Sequence, residues 1–198
     1  MNRILIIIIL VLLTSCSKNF DYEKVISVSP PTTAKIEGKH AIYISEQKFP
    51  HNKNIVSEDC ESWALKLEFN EPLKTSLKKL LQKMFEDYTF VDKKIEKSEI
   101  EKKGFVSQVS FYDFKAVSKF KTERNTGKYD ITLKIKIKVE NSSMNITNEI
   151  LSNMNWEKNV FFNCNLQVGA VQSSQKALEI LIKKIYETTY ESLFQIKK

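Results

Sequence analysis

The most regular pattern in the chain runs from Tyr129 to Val139, where Ile131, Leu133, Ile135, Ile137 and Val139 alternate with Thr132, Lys134, Lys136 and Lys138. A period of two predicts a strand with one face buried and the other wet. Upstream, Phe105 to Lys121 places Phe105, Val109 and Phe111 in one phase and Phe114, Ala116 and Phe120 in the other. The slip near Tyr112-Asp113 predicts a β-bulge or a bend there. Asn125-Thr126-Gly127-Lys128 reads as the turn between these two strands. After a polar turn near residues 141–145, Ile146 to Leu151 and Val160 to Leu166 read as one interrupted strand or two. Ala41 to Ser45 is a short strand candidate, and Glu46 to Asp59 is polar and irregular. Trp63, Leu65, Leu67 and Phe69 then alternate, predicting a further half-buried strand.

Two segments carry helical spacing. Asn70-Glu71-Pro72 is a helix start, and Leu73, Leu77, Leu80, Leu81, Met84, Phe85 and Tyr88 follow on one face with lysines opposite. Thr89 to Asp92 reads as a strand leaving that helix, and Lys93 to Lys103 as a charged connector. Near the end, Ser173 or Ser174 caps a helix carrying Leu178, Leu181, Ile182, Ile185, Tyr186, Thr189 and Leu193. Half-wet strands and two amphipathic helices predict an α+β fold: a two-layer sandwich, an antiparallel sheet with both helices packed on one face. Residues 39–198 form a single domain on this reading.

The start of the chain follows another logic. Met1-Asn2-Arg3 precedes an apolar run, Ile4 to Leu13, which at about ten residues is too short to span a bilayer of roughly 30 Å. It has the layout of a secretory signal. Leu13-Thr14-Ser15-Cys16 resembles the bacterial lipobox, which implies cleavage before Cys16 and lipid on its thiol and amine. Residues 1–15 are then a signal peptide. Residues 16–38, with Pro30-Pro31 among small polar residues, are a lipid anchor and flexible tether. Ser17, rather than Asp, follows the lipid cysteine; by the same resemblance this implies the outer membrane, with the body facing the periplasm or, less often, the cell surface.

Composition narrows the partners. Losing Arg3 from the formal +7 leaves the mature chain at +6, which favours anionic partners. An exported, anchored body has no access to nucleic acid. Four glycines and four prolines suit a compact domain and leave little for phosphate-cradling loops. No P-loop, dinucleotide turn, HExxH or G-x-S-x-G is present, so no enzyme and no cofactor is expected. His40 and His51, even with Glu58, Asp59 and Cys60, match no zinc spacing, so no metal is expected. With Cys16 lipidated, Cys60 and Cys164 remain, either as a disulfide or as two buried thiols. Lys134, Lys136 and Lys138 would stand in a row about 7 Å apart, as a solvated face or as a binding face for an anionic lipid or glycan. Phe161 and Phe162 point to opposite faces of their strand candidate, which leaves an aromatic for a partner protein.

The order of elements, a lipidated cysteine, a tether, an amphipathic helix, long antiparallel strands and a C-terminal helix, resembles small envelope lipoproteins. The lipopolysaccharide-assembly lipoprotein LptE family is the best known. The resemblance spans roughly residues 40–196, shares no residue motif beyond the lipobox and transfers no site residue. It implies a non-enzymatic accessory in envelope assembly or in lipopolysaccharide or lipid transport, docked on an outer-membrane β-barrel or a transport complex. The alternative is a ligand-binding lipoprotein using the lysine face.

Overall fold

The computed structural model describes residues 35–46, 51–56, 67–123, 126–159 and 167–196. Six strands and two helices follow in the order β1 (Ile36–Ile44), β2 (His51–Val56), α1 (Asn70–Met84), β3 (Phe85–Phe90), β4 (Ser107–Glu123), β5 (Thr126–Glu140), β6 (Asn145–Asn159) and α2 (Gln167–Ile196). Two short 3-10 turns, Lys97–Glu99 and Glu101–Lys103, lie between β3 and β4. The described strands form one sheet, ordered β3-β1-β4-β5-β6, with β2 also paired to β4.

The α+β class and the helical layer agree with the sequence pattern, but the sheet is mixed rather than antiparallel. The strands β4, β5 and β6 form an antiparallel meander. On the other side, β1 and β2 both run parallel to β4, and β3 runs parallel to β1. The parallel pairing of β1 with β3 requires a crossover, which α1 supplies. The predicted bulge is present: the β4–β5 register shifts between Tyr112 and Lys115, and Asp113 takes a left-handed φ of 55°. Val109 and Phe111 before the shift, and Phe114, Ala116 and Phe120 after it, therefore all face the core.

That core is continuous. Leu73, Leu77, Leu80 and Leu81 of α1 and Leu178, Leu181, Ile182 and Ile185 of α2 pack on the apolar face of β5 and its neighbours in one cluster. On the opposite face, Ile95, Ile100 and Phe105 from the connector pack with Ala41 in a small second cluster. Gln108 clasps the connector there: its Oε1 accepts the Ile95 N–H at 2.7 Å, and its Nε2 donates to Ile95 O at 3.2 Å and Glu140 Oε1 at 2.9 Å.

Several boundaries differ from the sequence reading. Strand β1 begins at Ile36, which is buried, so the tether ends before residue 38. Residues 51–56, read as irregular, pair with Ala116–Lys121. Leu67 and Phe69 are buried around a half-exposed Glu68 but lie in no described strand, and residues 63–66 fall outside the described residues. Helix α1 stops at Met84, because Phe85 turns extended and enters the ladder opposite Ile36; Tyr88 therefore belongs to a strand. Phe69, not Asn70, holds the N-cap position, while Asn70 donates from Nδ2 to Glu68 Oε1 at 2.7 Å. Thr126 to Lys128 already pair within the hairpin. Strand β6 runs uninterrupted to Asn159, and α2 starts at Gln167, leaving Ser173 and Ser174 buried inside it.

Candidate functional site

Cys16, Cys60 and Cys164 lie outside the described residues, as do Phe161 and Phe162. The lysine row is where the alternation put it. Lys134, Lys136 and Lys138 share the face of β5 turned away from the helices, because Leu133, Ile135, Ile137 and Val139 take the other. Each ammonium meets a carboxylate. Lys134 Nζ lies 2.5 Å from Glu149 Oε2 on β6, Lys136 Nζ lies 2.8 Å from Asp113 Oδ2 at the bulge, and Lys138 pairs with Glu140. Lys128 reaches Glu157 at 3.4 Å. Lys115 also reaches Asp113, at 3.2 Å.

The bulge explains the central pair. An extra residue in β4 swings Asp113 toward the lysines of its own strand and of β5. Hydrogen bonds from Lys136 and then Lys115 hold its carboxyl below the ordinary carboxylate range, and Asp113 in turn raises the Lys136 ammonium. The face is therefore a ladder of closed ion pairs. An anionic ligand there competes with carboxylates already in place. Sequence spacing gave the lysines; their partners come from register across three strands, which no local pattern encodes.

His40 is fully buried. Its Nδ1 lies 2.8 Å from Ser107 Oγ and its Nε2 3.1 Å from Glu37 O. The Nε2 contact requires a donated N–H, so Nδ1 accepts from the Ser107 hydroxyl. The Nδ1 contact ties β1 to the start of β4, and the Nε2 contact closes within β1. Among the described residues no three His, Cys, Asp or Glu side chains converge as metal ligands. No described helix is long and apolar enough to cross a membrane.

Two surfaces remain. The first is the outer rim of β6. Among the described residues no strand pairs with β6 on the side away from β5. Lys184 Nζ donates to Leu151 O at 2.7 Å, which places the Leu151 backbone groups on that rim. Alternation puts those of Glu149, Asn153 and Asn155 there too. The second is a groove of about 130 Å³ lined by Lys35, Ile36 and Glu37 at the start of β1 and by Tyr190, Leu193 and Phe194 of α2. Tyr186 and Tyr190 stack beside it at 6.1 Å. The spacing of Tyr186, Tyr190 and Phe194 along one side of a helix was the available signal for this stripe.

No family model matches the chain, and no curated protein matches it. Among solved structures it is similar to a minor lipoprotein from Acinetobacter baumannii, with 8% identity over 79% of this chain and 90% of that one and a TM-score of 0.41. A DUF330 protein from Xanthomonas campestris is 6% identical over 91% of this chain and 99% of that one, with a TM-score of 0.45. A neuraminyllactose-binding hemagglutinin homolog from Helicobacter pylori is 9% identical over 86% and 92%, with a TM-score of 0.46.

Proposed function

We propose that this chain is a non-enzymatic lipoprotein, anchored through Cys16 to the outer membrane with its body in the periplasm. On this reading it assists envelope assembly or lipid transport by pairing with an extended segment of a β-barrel or transport-complex protein. The observation that carries the reading is the β6 rim, fifteen residues long, with no proline and one lysine, near its end. Such a rim offers backbone donors and acceptors to an added strand, and soluble proteins usually block edges of this length. The lysine face supports ligand capture less well, because its charges are already paired.

The test is mild detergent extraction of the tagged full-length protein from its own membranes, comparing wild type with Asn153→Pro. Proline removes an N–H from the outer rim and is tolerated on an edge strand, so the fold survives. A near-stoichiometric membrane-protein partner should accompany the wild type and be lost from Asn153→Pro. Lys134→Gln, Lys136→Gln and Lys138→Gln together should leave its recovery unchanged. Recovery of the chain alone, or loss of a bound anionic lipid from that neutralised variant, refutes the docking role and restores the lysine face.

A further inference from the structure

The registers fix which end of the sheet the chain leaves from. Strand β1 starts opposite Phe85 at the beginning of β3, and His40 pairs with Ser107 at the beginning of β4. Glu140, the last residue of β5, pairs with both Gln108 and Asn145. Asn141 Nδ2 donates to Ile196 O at 3.4 Å, which brings the end of α2 to the same place. Lys35, the β5–β6 turn and the last turn of α2 thus share one end of the body. The eighteen residues 17–34 connect that end to Cys16 and reach at most about 60 Å when extended.

Four of the seven large exposed apolar side chains among the described residues lie there. Phe194 is 58% exposed, Met144 45%, Val106 44% and Tyr190 38%. Met144 belongs to the β5–β6 turn, Val106 precedes β4, and Tyr190 and Phe194 wall the groove beside Lys35. Aromatic rings flanked by a lysine are the composition that settles at a bilayer's headgroup boundary.

We propose that this end of the body is a second membrane contact: Tyr190 and Phe194, with Met144 and Val106 at the same end, seat in the acyl–headgroup boundary of the bilayer that holds the anchor. This rests on the lipidation of Cys16 proposed above and goes beyond it, because it fixes how the body is oriented. The β6 rim then stands upright from the membrane. Lys35 and Glu37 flank the groove with opposite charges, so apolar insertion rather than charge supplies the contact. An anchor lipidated on both thiol and amine already holds the chain stably, so the contact acts on the orientation of the body rather than on its residence at the membrane.

The test uses the full-length mature protein, purified from its native membranes and reconstituted in phosphatidylethanolamine/phosphatidylglycerol vesicles with or without bromine-labelled acyl chains. Tryptophan is introduced at Phe194, and separately at Val117, which is exposed on the lysine-bearing face away from this end. Bromine should quench the added emission of Phe194→Trp at least about two-fold and leave that of Val117→Trp unchanged. Equal, weak quenching of both refutes the contact, as it would if a second copy or a partner protein filled the groove. Mass spectrometry of the N-terminal peptide reads the anchor separately. Lipid on Cys16 with no quenching at 194 overturns the contact and keeps the anchor. Selective quenching at 194 with an unmodified Cys16 keeps the contact and overturns the anchor.

Discussion

Tyr129 lies wholly inside the core, its phenol oxygen 3.4 Å from Ser174 Oγ, and burial raises its ionisation above the ordinary tyrosine value of 10.0. Above about pH 10 the unfolded chain ionises this phenol while the native state holds its proton. The unfolded state then binds fewer protons, so stability falls as pH rises. Tyr129→Phe should cost about 1 kcal/mol at pH 8 through the lost hydrogen bond. Its deficit should shrink as pH climbs past 10, because the variant has no phenol to ionise; paired urea titrations at several pH values check this. Asp113 makes a second residue-scale case. At φ 55° a residue with a Cβ is strained, while aspartate also anchors Lys115 and Lys136. Asp113→Gly and Asp113→Ala both lose the ion pairs, but only alanine keeps the backbone cost. Alanine should therefore be the less stable by about 1 kcal/mol in denaturant titrations. Gly169 admits no such choice, since an added Cβ would stand 2.4 Å from the indole of Trp156. Gly169→Ala should cost about 1–3 kcal/mol and shift the tryptophan emission as the ring is displaced.

Among the elements, α2 shows most clearly what holds the layers together. It lies along β6 from Gly169 against Trp156 to Ser192, whose Oγ accepts from Asn148 Nδ2 at 3.0 Å. Ser152 Oγ donates to Ala177 O at 2.6 Å between them. Asn148 and Ser152 sit on the core face of β6, so polar residues interrupt its apolar alternation while bonding to the helix. That is why β6 read as a broken strand. Strand β5, with no such exceptions, was legible residue by residue, and so was the bulge in β4, because a phase slip is a local signal. Parallel pairing was not legible. The partners of β1 lie some 50 and 67 positions away, as Ile36↔Phe85 and His40↔Ser107, and period-two alternation does not encode strand direction. Phe85 and Tyr88 misled for a related reason: their spacing extends the helical stripe of α1, yet tertiary pairing with β1 draws them into a strand. Leu181→Ala, at a fully buried position of α2, should cost about 2–5 kcal/mol in urea unfolding.

At the scale of the molecule, the continuity of the core decides how the protein opens. One cluster joins α1, α2 and the helix-facing sides of β1, β4, β5 and β6, so no seam separates the parallel corner from the antiparallel meander. Strand β5 is paired along its whole length on both sides and covered by α2, and its amides should exchange slowest, at the rate of global unfolding. Strand β1 is shorter, but α1 closes it onto the same cluster. If the body is one cooperative unit, the Leu181→Ala loss in α2 appears in full in the slowest amides of β5 and equally in those of β1. Native-state hydrogen exchange on wild type and variant measures both. A loss confined to β5, β6 and α2, with β1 and α1 unchanged, would mean that two units fold separately on one sheet. In that case the end carrying Lys35 and the rim of β6 could move apart, and an orientation fixed at the membrane would not orient the rim.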